Sequence, residues 1–408
     1  MAPRRLTILS LHTSPLAQPG TGDGGGMNVY VRALASALAR AGITCEVVTR
    51  AERPDQQPMV TVEPGFRVVH VPVGPPEPLA KHELSDLVDE AAEATLASLL
   101  TSQGGCDALH ANYWISGAVG HVLKHELDLP LVATFHTLAR VKAEAGVDDD
   151  PEHRTRAEGE VIGCADLLLA STDGEREQLV DLYGADRGRI ETVAPGVDHE
   201  VFHPGDEAAA RAALGLAGRR VILFVGRIQP LKGADLAVRA LAELDDRRAV
   251  LLVVGGPSGP DGRAELARLH ALVHELRLED RVRFVPPQPH RRLAVYYRAA
   301  DLCVVPSRSE SFGLVALEAA ASGTPVVAAD VGGLRSLVDD GVTGYLVEGR
   351  APADYARPLG QLLDDAELAA AMGARAEARS RRYAWSITAG RLRRLYGDLL
   401  ARALVQCR

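Results

Sequence analysis

Two cations and two carboxylates in the second half of the chain form its most specific chemical pattern. Arg227 and Lys232 lie in Phe224-Val-Gly-Arg-Ile-Gln-Pro-Leu-Lys-Gly233, where an apolar run passes into a loop. At the carboxyl end of a strand, beside a helix start, a guanidinium fork and an ammonium point charge suit a diphosphate. Alone, the two could equally be solvated surface cations. Glu310 and Glu318 lie in Ser307-Arg-Ser-Glu-Ser-Phe-Gly-Leu-Val-Ala-Leu-Glu-Ala319. This stretch predicts a helix beginning near Phe312, with the amides of Ser311, Phe312, Gly313 and Leu314 aimed at a phosphate. Glu318 falls among Leu317, Ala319 and Ala320, where a bare carboxylate is costly, so ribose hydroxyls are its expected partners.

The first half offers a glycine-rich loop, His12-Thr-Ser-Pro-Leu-Ala-Gln-Pro-Gly-Thr-Gly-Asp-Gly-Gly-Gly-Met-Asn28. Gly20, Gly22 and Gly25 match the G-x-G-x-x-G of dinucleotide-binding folds, but there the first glycine follows its strand at once. Here Pro15 and Pro19 intervene, and the next strand, Cys45-Glu-Val-Val-Thr-Arg50, lacks the expected terminal acid. The better reading is a loop that approaches a ligand closely and leads into an anion-favouring helix start. Lys81, Tyr113, His136 and Arg154 are scattered polar groups; Tyr113 and His136, at strand ends, suit a site, whereas Lys81 and Arg154 by themselves read more readily as ordinary surface cations.

These residues need elements to hold them. β-branched runs at Leu6–Leu11, Thr44–Thr49, Arg67–Val71, Ala108–His110, Leu131–Thr134, Leu167–Ala170 and Ile190–Val193 alternate with helical stretches Asn28–Ala41, His82–Leu100, Ser116–Glu126 and Asp173–Tyr183. The alternation restarts at Val221–Val225 and continues through Val250–Gly255, Val282–Val285, Leu302–Val305 and Val326–Ala329, with a mostly helical tail from Asp364 to Leu404. Such alternation indicates βαβ units and parallel sheets. The predicted fold is α/β, with two facing doubly wound Rossmann-like domains. Residues 1–195 form the first, 196–207 a linker, 208–385 the second, and 386–408 a helix crossing back to the first. The crevice between domains is the expected site.

Composition excludes other classes. The chain has 408 residues, 47% hydrophobic and 24% charged, with a net charge of −9. No basic stripe for nucleic acid is present. The first apolar stretch stops at His12 and reads as a buried strand rather than a signal peptide. No run approaches the roughly 20 residues needed to span a bilayer, so no stable membrane insertion is expected. Five scattered cysteines, Cys45, Cys106, Cys164, Cys303 and Cys407, never in C-x-x-C spacing, argue against a disulfide framework or structural zinc and for a cytoplasmic location. No D-x-D metal motif follows a strand at a plausible donor site.

Glu310-Ser-Phe-Gly-Leu-Val-Ala-Leu-Glu318 resembles the E-x7-E signature of retaining family 4 glycosyltransferases of the GT-B fold, and Gly226-Arg-Ile-Gln-Pro-Leu-Lys232 their diphosphate loop. The run from His12 to Tyr30 is similar to that of the D-inositol 3-phosphate glycosyltransferases of mycothiol synthesis, and the resemblance extends from about Leu6 to Tyr396. It implies a UDP-N-acetylglucosamine donor, an inositol phosphate acceptor, no required cofactor or metal, small-molecule partners only, and an optional homodimer.

Residue by residue, the resemblance implies acceptor contacts at His12, Asp23, Gly24, Gly25, Gly26, Met27, Asn28, Lys81, Tyr113, Thr137 and Arg154. It implies donor contacts at Gly26, Arg227, Lys232, Glu310, Ser311, Phe312, Gly313, Leu314 and Glu318, with His136, Arg227, Lys232 and Glu310 catalytic. There are two departures: Gln288 stands where a family arginine is expected, and the segment from Ala143 to Arg154 is short. A paralogue acting on another aminocyclitol, sugar phosphate or natural product keeps most of these motifs. A lipid-acceptor enzyme, a nucleotide-sugar epimerase and a non-catalytic binding protein are the competing classes; the acidic helix after Lys81 argues against the first.

Overall fold

The computed structural model describes residues 3–22, 24–101, 105–144, 146, 151–259 and 261–407. The chain divides into two compact units. The first comprises Met1–Ala17, Met27–Pro195 and Trp385–Arg408; the second comprises Gln18–Gly26 and Gly196–Ala384.

In the first unit, strands β1 (Arg5–Leu9), β2 (Thr44–Arg50), β3 (Met59–Glu63), β4 (Phe66–Val71), β5 (Ala108–Asn112), β6 (Leu131–Thr134), β7 (Leu167–Ala170) and β8 (Ile190–Thr192) form one sheet in the order β3-β4-β2-β1-β5-β6-β7-β8. Period-2 alternation sends β1 side chains to both faces. Leu6 and Ile8 pack with Val31, Leu34, Leu38 and Leu392, while Leu9 packs with Val119 and Leu123. Burial on both faces explains the uninterrupted apolar runs of parallel strands. The helix Trp385–Leu399 belongs to this unit, with Leu392 and Tyr396 fully buried and the Tyr396 hydroxyl 2.8 Å from His110 Nδ1.

Three expectations need correction here. The sheet is not wholly parallel: β3, a short and partly exposed strand, pairs antiparallel with β4 through Met59↔Val69, with a bulge between Thr61 and Glu63. The helix expected over His82–Leu100 is broken into Lys81–Ser85 and Val88–Thr101, because the Leu87 amide turns back to Leu84 O and ends the first segment. The cysteines do not all stand apart. Cys164 and Cys407, 243 residues apart in sequence, have Cα atoms 5.2 Å apart and sulfurs at bonding distance. Cys45, Cys106 and Cys303 are free thiols.

In the second unit β9 (Arg220–Val225), β10 (Ala249–Val254), β11 (Val282–Val285), β12 (Leu302–Val305), β13 (Val326–Ala329) and β14 (Gly344–Val347) form a parallel sheet ordered β11-β10-β9-β12-β13-β14. The strand order reverses direction around β1 and β5 in the first sheet and around β9 and β12 in the second. Loops leaving the carboxyl ends of such strands are the ligand-binding positions of open α/β sheets. No helix of the described residues is long and apolar enough to cross a membrane.

Candidate functional site

In the second unit, Arg227 lies just beyond the end of β9, and Lys232 closes a single helical turn, Pro230–Lys232. Gly233 follows at φ 71°, and a Cβ there would meet Pro306 O at 2.3 Å, so only glycine lets this loop lie against the one after β12. That approach brings Lys232 Nζ 2.7 Å from Glu310 Oε2, which also accepts from Ser307 Oγ at 3.2 Å. The helix after Glu310 starts at Leu314, two residues later than expected, with Gly313 at its N-cap and no side chain capping it. Its first N–H groups therefore remain suited to an anion. Phe312 is buried and packs edge-on against Tyr383.

Glu318 departs from expectation. It is buried, but its carboxylate is compensated by protein: Oε1 lies 2.6 Å from His290 Nε2, and Tyr297 donates its hydroxyl to Oε2 at 2.9 Å. A ligand is therefore not needed to account for its burial. Sequence reasoning missed both partners; no spacing links positions 290, 297 and 318, and only the packing of the neighbouring helices brings them together.

The glycine loop packs with this second unit. Gly20 N–H donates to Gly24 O at 2.8 Å, Ser258 Oγ donates to Gly22 O at 2.5 Å, and the Gln18 side chain donates to Gln288 O. A Cβ on Gly25 would sit 3.2 Å from Arg227 Nε, and one on Gly26 3.6 Å from Leu314 Cδ1. The structure thus sets Gly25 and Gly26 beside donor-motif residues, although Gly25 was expected to contact the acceptor alone. Asp23 lies outside the described residues, as do residues 145 and 147–150 of the short segment before Arg154. Met27 opens the first unit's portion, and Asn28 is buried, its side-chain amide donating to Thr13 Oγ1 at 2.7 Å and Ser14 O at 2.6 Å. Asn28 thereby fixes the loop that carries His12.

In the first unit the expected acceptor residues gather around one ring. The Tyr113 ring lies 4.3 Å from the His12 ring, 5.0 Å from the Arg154 guanidinium carbon and 6.0 Å from Lys81 Nζ. Arg154 donates through Nη2 to Thr137 O at 2.7 Å and Thr137 Oγ1 at 3.1 Å, and through Nε to Glu158 Oε1 at 2.7 Å. Glu158 is fully buried and also accepts from the Ala139 amide and the Tyr183 hydroxyl. Its spacing of four from Arg154 was the available sign of this pair. Tyr113 itself has φ 76° and ψ 157° at the start of the helix Trp114–Leu127, a region that costs a side-chain-bearing residue of order 1–3 kcal/mol.

His136 has φ 62°. Among the described residues, four non-glycine positions have positive φ, and two of them are Tyr113 and His136. Strain held at both points to function rather than chance. His136 Nε2 lies 2.8 Å from Asn112 Oδ1, and its ring meets Tyr30 edge-on. Burial, then the neighbouring His110, pulls its pKa down to about 3, so the ring is neutral near pH 7.

Residues 206–379 match the family model described as glycosyl transferases group 1, and residues 25–196 match a glycosyl transferase 4-like domain. The chain is 50% identical over 398 residues to D-inositol 3-phosphate glycosyltransferase 2 of Catenulispora acidiphila, covering 95% of this chain and 93% of that one. It is 50% identical over 412 residues to the D-inositol 3-phosphate glycosyltransferase of Nocardia farcinica, covering 98% and 90%. The chain belongs to the D-inositol 3-phosphate glycosyltransferase family. As a member of that family it is a glycosyltransferase, and its two parallel-sheet units are those of the GT-B fold. The sucrose-phosphate synthase of Thermosynechococcus elongatus has the same fold, with a TM-score of 0.91 at 34% identity over 98% of this chain and 99% of the other. Anabaena HepE, solved with UDP and glucose, shares the fold with a TM-score of 0.78 at 21% identity, covering 97% and 100%.

Proposed function

We propose that this enzyme transfers N-acetylglucosamine from UDP-N-acetylglucosamine to 1D-myo-inositol 3-phosphate with retention of anomeric configuration, the first glycosyl transfer of mycothiol synthesis. The observation that carries the acceptor assignment is the set around Tyr113. Lys81 and Arg154 lie 6.0 Å and 5.0 Å from its ring, and two cations beside one platform match a phosphate dianion carried on a polyhydroxylated ring. His12 and Thr137 extend the set with groups able to bond hydroxyls. The names of the relatives agree with that chemistry.

On the donor side, Arg227, Lys232 and the open start of the helix at Leu314 would hold the UDP diphosphate, and Glu310 the sugar hydroxyls. In the reaction the bond from the anomeric carbon to the UDP oxygen breaks while the acceptor oxygen bonds on the same face. The acceptor hydroxyl gives its proton to the departing phosphate oxygen. Charge develops on the β-phosphate, where preorganised cations and amide dipoles act most strongly. Neutral His136, oriented by Asn112, would accompany the reacting carbon without adding a positive charge near an oxocarbenium-like transition state.

The test is UDP release from UDP-N-acetylglucosamine, UDP-glucose and a GDP-sugar, each with and without inositol 3-phosphate. Release that needs inositol 3-phosphate supports the proposal. Equal release without acceptor, or none with it, overturns it. The likeness to a sucrose-phosphate synthase, together with Gln288, favours a second reading, transfer to a hexose phosphate. A hexose 6-phosphate arm in the same assay separates the two, and liposome co-sedimentation checks for a lipid acceptor. The enzyme is expected to work in the cytoplasm on small molecules.

A further inference from the structure

Apart from every donor and acceptor residue, four side chains of the first unit converge. His121 and His125 stand on the helix Trp114–Leu127, Cys164 ends the helix Pro151–Cys164, and Cys407 follows the helix Trp385–Leu399. One ligating atom from each lies within 4.8 Å of all the others. His121 and His125, one turn apart, present their rings side by side with centroids 5.2 Å apart. His125 Nε2 lies 3.5 Å from Cys164 Sγ and 3.2 Å from Cys407 Sγ. In a tetrahedral zinc centre with bonds of about 2.3 Å to sulfur and about 2.0–2.1 Å to nitrogen, ligand atoms lie roughly 3.3–3.8 Å apart. The two His125 nitrogen–sulfur separations are close to that spacing, whereas the two sulfurs lie at bonding distance and must move apart to share an ion; two thiols with two imidazoles make a complete structural ligand set.

Separate bonds deliver these residues. The Val405 amide, two residues before Cys407, donates to Asp166 Oδ1 at 2.6 Å. Lys124, between the two histidines in sequence, donates at 2.8 Å both to Asp166 Oδ2 and to Cys164 O. Lys124 and Asp166 are buried, so this anchor holds the helix, the end of its neighbour and the final segment in one place. Cys164 is buried, His121 and Cys407 are partly covered, and only His125 is open to solvent.

We propose that the reduced chain binds one zinc(II) ion through His121, His125, Cys164 and Cys407. Each thiol gives up its proton and each imidazole binds through a neutral nitrogen, so two protons are released, the ion sheds water, and no electron moves. The two thiolates neutralise the dication, which suits a partly buried centre. The ion would tie the segment after the final helix to the helices ending at Leu127 and Cys164. The same two sulfurs can instead join as a disulfide, and the two states exclude one another because the disulfide has no thiolate to offer.

The test uses the full chain, expressed without a metal-affinity tag and purified in a phosphine reductant, with zinc measured by mass spectrometry after dialysis against a weak chelator. One equivalent per chain is expected, falling to background in Cys407→Ser and in His125→Ala but not in Cys106→Ser. Cobalt(II) in place of zinc should give the visible absorption of a tetrahedral thiolate site, which keeps the test decisive if a variant fails to fold. Removing the ion should lower the unfolding temperature. Reduced protein that holds no stoichiometric zinc when offered it, zinc retained in both ligand variants, or a Cys164–Cys407 disulfide persisting under reductant would each overturn the proposal.

Discussion

Lys232 Nζ and Glu310 Oε2 meet at 2.7 Å, joining the loop after β9 to the loop after β12 across 78 positions of sequence. Both side chains are partly buried, so the pair positions each partner and also sets up a competition. In the proposed donor site, a diphosphate arriving at Lys232 would have to share the ammonium with Glu310.

That competition separates the two roles. Glu310→Gln should leave UDP binding unchanged or tighter while lowering kcat, since Lys232 is released but the sugar loses a charged acceptor. Lys232→Ala and Arg227→Ala should each lower kcat on the order of 10²-fold, as when other preorganised donors are lost. Steady-state kinetics together with calorimetry for UDP alone distinguish these outcomes; equal UDP affinity in Lys232→Ala and the parent would contradict the diphosphate role.

Lys81 and Arg154 should respond differently to truncation. Lys81→Ala should raise the KM for a phosphorylated acceptor with little change in stability or donor KM. Arg154→Ala leaves Glu158 buried without its cation, and breaking a buried pair from one side costs about 3–5 kcal/mol. Chemical denaturation shows the difference, and unchanged acceptor kinetics in Lys81→Ala would remove it from the phosphate site.

Gly25 tests the placement of the loop. A methyl group at 3.2 Å from Arg227 Nε would push a flexible side chain by a few tenths of an ångström rather than unfold anything. Gly25→Ala should therefore weaken donor binding severalfold without lowering the unfolding temperature. A loss confined to acceptor KM would instead favour the acceptor role read from the sequence.

His110 carries a pH dependence. It is fully buried between Thr134 and Tyr396, and burial pulls its pKa down to about 3. The folded ring stays neutral where the unfolded one protonates, so its contribution is complete above the ordinary value of about 6.5 and is lost as pH falls from there towards 3, by up to about 1.4 kcal/mol per pH unit. The difference in unfolding free energy between the parent and His110→Gln should shrink with that slope on acidification. A pH-independent difference would count against a neutral buried His110.

Much of the framework was legible in the sequence. Leu131–Thr134, Leu167–Ala170, Val282–Val285, Leu302–Val305 and Val326–Ala329 match their strands residue for residue; all but Val282–Val285, an edge strand with Arg283 exposed, are buried throughout, and strands buried on both faces are written as short apolar runs. The strand β3, lying between Pro58 and Pro64 and partly exposed, carries no such run. Its pairing is set by β4 rather than by its own composition.

By itself the sequence determined the α/β alternation and the loops leaving β1, β9 and β12, since these follow from local periodicity, and it marked Arg227, Lys232, Glu310 and Glu318 by motif spacing; the acceptor set around Lys81 and Arg154 came only with the family resemblance. Tertiary structure alone decided that Glu318 is satisfied by His290 and Tyr297, that Arg154, Lys81 and His12 share the Tyr113 ring, that Gly25 lies against Arg227, and that Cys407 returns to Cys164. The physical reason is the same in each case. These contacts join positions that most often lie tens to hundreds of residues apart, brought together by the packing of whole elements, and no periodicity within one segment records which distant partner its side chains will meet.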